Sequence, residues 1–195
     1  MQTIREGMRS RSVQDAQVIR SIAHFEKFLL EGEFHLEHYR EGVLIWKEDF
    51  KNTVMTIGKN LVLDTVLAGS AYTTVGPFMG LISSASFSAI SAADTSASHA
   101  GWLEAGVANA PTYTIPRKTV VFSAASAGVK ATSAALVFAI TGTGTVKGCA
   151  IWTGTGALST IANTAGTLLS AGLFTGGDRP VLNGDTINVS YSLAA

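Results

Sequence analysis

The chain has 195 residues, of which 47% are hydrophobic and only 14% charged, and its 14 basic and 14 acidic side chains balance to zero. That length holds one domain with an appendage rather than two ordinary domains. A zero balance argues against generic nucleic-acid binding, which needs excess Lys and Arg on one face, and a single cysteine, Cys149, excludes an intrachain disulfide framework and a Cys-rich zinc site.

A typical soluble domain carries about 25% charged residues. A chain this poor in charge either buries much of its surface or solvates it with Ser, Thr and Gly, and both suit a subunit packed into an assembly. The opening residues Met1 to Glu6 lead into no apolar core of the kind a signal peptide needs. The longest apolar run, Ala134 to Ile140, falls far short of the roughly 20 residues that span a bilayer. The expectation is a soluble chain made in a cytosol, with no membrane partner and no nucleic-acid partner.

Charge is unevenly spread. Residues 1–60 hold nine Lys/Arg and nine Asp/Glu, whereas residues 61–195 hold five of each. Within the charged part, Val18, Ile22, Phe25 and Leu29 follow one another at steps of four, three and four, which places them on one helical face. Asp15, Arg20, Glu26 and Lys27 solvate the rest. The reading is a helical arm over residues 1–31, carrying an apolar stripe that docks either on its own domain or on a neighbouring subunit. The pattern lasts barely two heptads, too short for a steady coiled coil.

Gly32 is expected to break this helix, and residues 32–195 form the body. Glu33-Phe34-His35-Leu36-Glu37 alternates with period two, Glu41-Gly42 reads as a turn, and Val43-Leu44-Ile45-Trp46-Lys47 as the returning strand of a hairpin. Asn52 is a plausible N-cap for a helix from Thr53 to Leu67 with Val54, Ile57, Leu61 and Val66 inward, ended by Gly69. Phe78 to Ile82 reads as a short buried strand, and Ser83 to Ala110 as a long polar excursion anchored by Trp102. Further strands are expected at Lys118–Ser123, Ala134–Thr141, Thr145–Thr153, Thr167–Phe174 and Thr186–Leu193, separated by Gly-rich turns. The fold class is mainly β: an antiparallel sandwich with a helical N-terminal arm and one short internal helix.

No constellation for catalysis emerges, and no cofactor or metal is expected. His35 and His38 lie three apart in a strand and point to opposite faces, so they cannot share a metal. Cys149 sits in an apolar strand and reads as a buried small hydrophobe rather than a nucleophile. Gly142 to Gly148 superficially resembles a phosphate loop but lacks the Gly-Lys-Ser/Thr ending and leads into a strand. Asp178 and Asp185 flank turns, where Asp serves local hydrogen bonding. Asn188-Val189-Ser190 matches a glycosylation sequon but lies inside a strand.

Three stretches carry a family resemblance: Glu33 to Gly42 running on through Asp49-Phe50-Lys51-Asn52; Phe78 to Ser83; and Gly166 to Phe174 with Arg179-Pro180-Val181 and Asn183 to Tyr191. Over about residues 32–192 this resembles the strand–turn–strand opening, short helix and closing strand pair of a group of tailed-bacteriophage virion structural proteins. The resemblance implies a non-enzymatic virion protein, made in the bacterial cytoplasm, that decorates and cements the capsid. Its implied partners are the major capsid protein and copies of itself, as trimer or dimer. The alternatives left open are a tail, connector or fibre-base part and a host-glycan-binding module, for which Trp102 and Tyr113 would be the aromatic candidates.

Overall fold

The computed structural model describes residues 29–66 and 75–195. Among these described residues, twelve strands and one helix follow in chain order: β1 (Glu31–Arg40), β2 (Val43–Val54), α1 (Thr56–Val66), β3 (Phe78–Ser83), β4 (Leu103–Glu104), β5 (Thr112–Tyr113), β6 (Lys118–Thr119), β7 (Val129–Ala131), β8 (Leu136–Gly142), β9 (Gly144–Thr153), β10 (Thr167–Leu173), β11 (Arg179–Val181) and β12 (Thr186–Ala194). All ladders are antiparallel. The spatial order is β4-β3-β9-β10-β2-β1-β12-β8-β5, with β11 on β9, β6 on β3 and β7 on β12.

Strand β2 belongs to both halves of this sheet. Its Val43–Lys51 portion pairs with β1, while Asn52–Val54 pair with Gly172–Ser170 of β10. The sheet therefore curls, and its two halves face each other across one core. Phe34, Leu36, Phe50, Phe138, Ile187, Val189 and Tyr191 come from one half, and Met79, Leu81, Val146, Cys149 and Ile151 from the other. Phe34 stacks on Phe50 at 5.2 Å, and Tyr191 packs on Phe34 at 4.8 Å. Gly32, expected as a helix breaker, lies inside β1, where a Cβ would fall 2.3 Å from the Tyr191 hydroxyl. Only glycine leaves room for that hydroxyl, which accepts from Asn52 Nδ2 at 3.0 Å.

The outer faces differ. On β1 and β12 the alternation is clean, and across the β1–β2 ladder opposite charges oppose one another: Glu33 with Lys51, Glu37 with Lys47, and His35 hydrogen-bonded to Asp49. Such pairs contribute a few tenths of a kcal/mol each, up to about 1. On β3, β9 and β10 the outer face is dry. Ile82, Ala150, Trp152, Leu168 and Ala171 pack beneath Met55 and Trp102, with Phe87 and Ile90 partly covering them. Burial on both faces explains why these strands read as continuous apolar runs rather than alternating ones.

The cover is held on by a buried ion pair. The Arg117 Nε and Nη2 atoms donate to Glu104 at 2.8 Å each, the guanidinium also donates to the carbonyls of Leu158 and Asn163 at 3.1 Å, and it lies 3.8 Å over the Trp152 ring. Glu104 accepts in addition from the Ala162 N–H at 2.7 Å. With every partner in place the pair offsets its desolvation, whereas removing one member leaves a buried charge at a cost of about 3–5 kcal/mol. Gly80 makes the space, since a Cβ there would sit 2.6 Å from Glu104 Oε1.

Two expectations are corrected. The helix begins at Thr56, not Thr53, because Asn52 to Val54 are claimed by the β10 ladder and the Asn52 side chain by Tyr191. Sheet pairing thus overrides the local capping signal. Val54 is buried in that strand, Ile57 is exposed, and α1 faces the sheet through Gly58, where a Cβ would lie 2.6 Å from the Leu169 carbonyl oxygen. The ends expected at Leu67 and Gly69 lie outside the described residues. The strand expected over Lys118–Ser123 is only two residues long, and β4, β5, β7 and β11 are ladders of two or three residues that the sequence pattern does not announce.

The opposite faces of the β8–β12 pair give a direct check. Val189 is fully buried, while Val137, on the wet face of β8, is 53% exposed. Val189→Asp is expected to remove several kcal/mol of a domain total of roughly 5–15, and Val137→Asp almost none. Chemical denaturation of the two variants reads the difference; equal midpoints would refute the assigned core face.

Candidate functional site

The β1–β2 turn has both central residues at positive φ, Glu41 at 49° and Gly42 at 78°, the geometry of a type I′ hairpin. Just beyond it His38 opposes Trp46 and Tyr39 opposes Leu44, so Ile45 is the extra residue of a bulge. The bulge breaks the alternation. Val43, Leu44 and Ile45 are exposed in succession, at 63%, 42% and 46%. Three adjacent exposed apolar side chains on a strand mark a surface built for contact rather than for solvent. Leu182, in the turn between β11 and β12, is a further exposed apolar side chain.

This hairpin end is held rigidly. Asp185 is buried in the turn before β12, where Gly184 takes φ 92°. Its carboxylate accepts from Arg40 Nε at 2.9 Å, from Arg40 Nη2 at 2.8 Å, from the Leu182 N–H at 2.8 Å, and contacts His38 Nε2 at 2.8 Å. The Arg40 guanidinium, helped by the Leu182 N–H and by His38, holds the Asp185 carboxyl well below the usual carboxylate range against the opposing effect of burial. From the inner side, Trp46 packs edge-on to Phe174 at 5.2 Å and beneath the Arg179 guanidinium at 3.9 Å. Glu48 accepts from the N–H groups of Thr175 and Gly176 at 2.6 and 2.7 Å. The expected local role of Asp185 is present in the Leu182 bond. Its long-range partners Arg40 and His38 were invisible in the sequence, because they lie 145 and 147 residues away.

The other singled-out residues are placed as follows. His35 is exposed and His38 buried, on opposite faces. His99 stacks on Trp102 at 4.1 Å, and Trp102 Nε1 donates to Asp94 at 2.9 Å. Trp102 and Tyr113 are buried, so neither offers a ring to a sugar. Asp178 pairs with Lys147 at 2.6 Å and Asp185 with Arg40 and His38, so the two carboxylates serve separate contacts. Cys149 is fully buried, and burial pushes its thiol far above the ordinary range. Among the described residues no group of three His, Cys, Asp or Glu side chains could hold a metal ion.

Of the stripe Val18, Ile22, Phe25 and Leu29, the first three lie outside the described residues. Leu29 is described and is 58% exposed, two residues before β1. Nearby, between α1 and the end of β12, runs an open apolar groove of about 330 Å3. Its walls include Leu61, Val62, Phe122, Leu169, Tyr191 and Leu193. No protein-family model, curated protein or solved structure matches the chain.

Two measurements follow from this geometry. Because the Asp185 carboxyl is depressed in the folded state, its contribution is complete above the unfolded value of about 3.9 and is lost as pH falls towards the folded value. Asp185→Asn is therefore expected to lower stability by roughly 2–4 kcal/mol at pH 7 and to flatten the loss of stability below pH 4. Thermal unfolding against pH checks both. Thiol-reactive probes are expected to label Cys149 slowly in the native protein and quickly after unfolding; rapid native labelling would contradict its burial.

Proposed function

We propose that the chain is a structural protein of a tailed-phage particle that decorates and cements the capsid by binding the major capsid lattice. The observation that carries this reading is the β1–β2 hairpin end. It presents Val43, Leu44 and Ile45 to solvent on a scaffold locked by Asp185, Arg40 and His38. A preformed apolar contact loses little conformational freedom on docking, so even a small patch gives useful affinity when many copies act on one lattice.

Two further features support it. Of the stretches that carry the family resemblance, those at 33–42, 49–52, 166–174 and 183–191 fall largely on the adjacent strands β10-β2-β1-β12, while Phe78–Ser83 lies beyond β9 and Arg179–Val181 pairs with β9. The outer face of β1 and β2 carries charge in opposed pairs. Crowded copies would therefore meet without strong repulsion between like charges.

The test is to purify particles produced from the genome that encodes the chain and to locate the protein by image reconstruction. The expected result is density at regular sites on the capsid shell. Ile45→Asp is expected to reduce occupancy at least tenfold while leaving the unfolding midpoint nearly unchanged. Density confined to the tail or its fibres would move the reading to a tail component, and absence from the particle would overturn it.

A further inference from the structure

The groove between α1 and the end of β12 offers a seat for a helix. Its exposed lining is almost wholly apolar. A small-molecule site of this size normally carries a few convergent polar groups to orient its ligand. Thr65, Lys130 and Thr153 also line it but expose almost no polar surface, so the groove suits the apolar face of an amphipathic helix, read as anchors at i, i+3/i+4 and i+7. The sequence supplies one such face in Val18, Ile22, Phe25 and Leu29. At 1.5 Å per residue, the anchors from Val18 to Phe25 span about 10 Å.

The position of the stripe bears on whose groove it fills. β1 starts at Glu31 opposite Ala194, and Gly32 is opposite Leu193, which lines the groove. The chain therefore leaves the body beside its own groove. Yet Leu29, the last member of the stripe, is exposed rather than packed against that groove. Only Leu30 separates it from the strand, and Leu29 as placed does not line that groove.

We infer that the apolar stripe at Val18, Ile22, Phe25 and Leu29 seats in the groove between α1 and β12 of a second copy of this chain. Each copy then gives one helix and receives one. Exchange in both directions closes a dimer, and exchange around a ring closes a trimer.

The test uses the full chain with Phe25 replaced by a photo-reactive benzoylphenylalanine, isotopically labelled and mixed with unlabelled protein of normal sequence. After irradiation, mass spectrometry is expected to find the labelled residue joined to unlabelled peptides from α1, residues 122–130 or β12. Sedimentation of the unmodified chain is expected to show a closed oligomer. Phe25→Asp and Val62→Asp, one on each side of the contact, should each weaken self-association at least tenfold while the far-ultraviolet β signature stays the same. Links found only within one copy, links to other surfaces, or a monomer at every concentration would overturn the inference.

Discussion

The fold depends on one strand changing partners. Hydrogen bonds from β2 go first to β1 and then, past Lys51, to β10. That hand-over makes the two halves a single curled sheet instead of two sheets pressed together. Phe50 and Val54 both enter the interior from this same strand. The close approach of Gly172 to the backbone of Lys51 and to Phe34 belongs to the same crossing, where a Cβ would meet both at 3.1 Å. The crossing also decides where α1 starts, since the helix cannot begin until the ladder with β10 is finished.

The curl divides the surface into two regimes. The half formed by β1, β2, β12 and β8 keeps a solvated outer face and spends its few charges there in opposed pairs. The half formed by β3, β9 and β10 has its outer face buried beneath residues 84–105, where the Glu104–Arg117 pair is internal. A composition with 14% charged residues is enough when one of the two outer faces needs no solvation. The exposed apolar side chains at 43–45 and the groove beside α1 are surface that the described residues leave uncovered.

Much of the body was legible from local pattern. The hairpin Glu33–Lys47 with its Glu41-Gly42 turn, the five longest strands of the second half and the anchoring role of Trp102 all follow from alternation, turn residues and apolar runs. What pattern missed was set by partners distant in sequence. Asn52 has the side chain of an N-cap, but a strand more than 100 residues later takes its backbone. Glu104 lies in the polar excursion and Arg117 beyond it, and only the fold brings them together over Trp152. The exposure of Ile45 comes from a one-residue bulge, which shifts side chains between faces without any change in composition. Of the stripe first singled out as a contact element, only Leu29 is among the described residues, where it is exposed.

The two ends of the strand order are β4 and β5, each only two residues long. Pro111 and Pro116 flank β5, and proline has no N–H to offer a neighbouring strand. A long free edge is a template for another chain to add itself by backbone pairing, which leads to open-ended fibres. Here the rims of the sheet are too short and too interrupted to serve. Among the described residues, the two ends of the sheet therefore offer little backbone for a second chain to pair with, which disfavours growth by strand addition there.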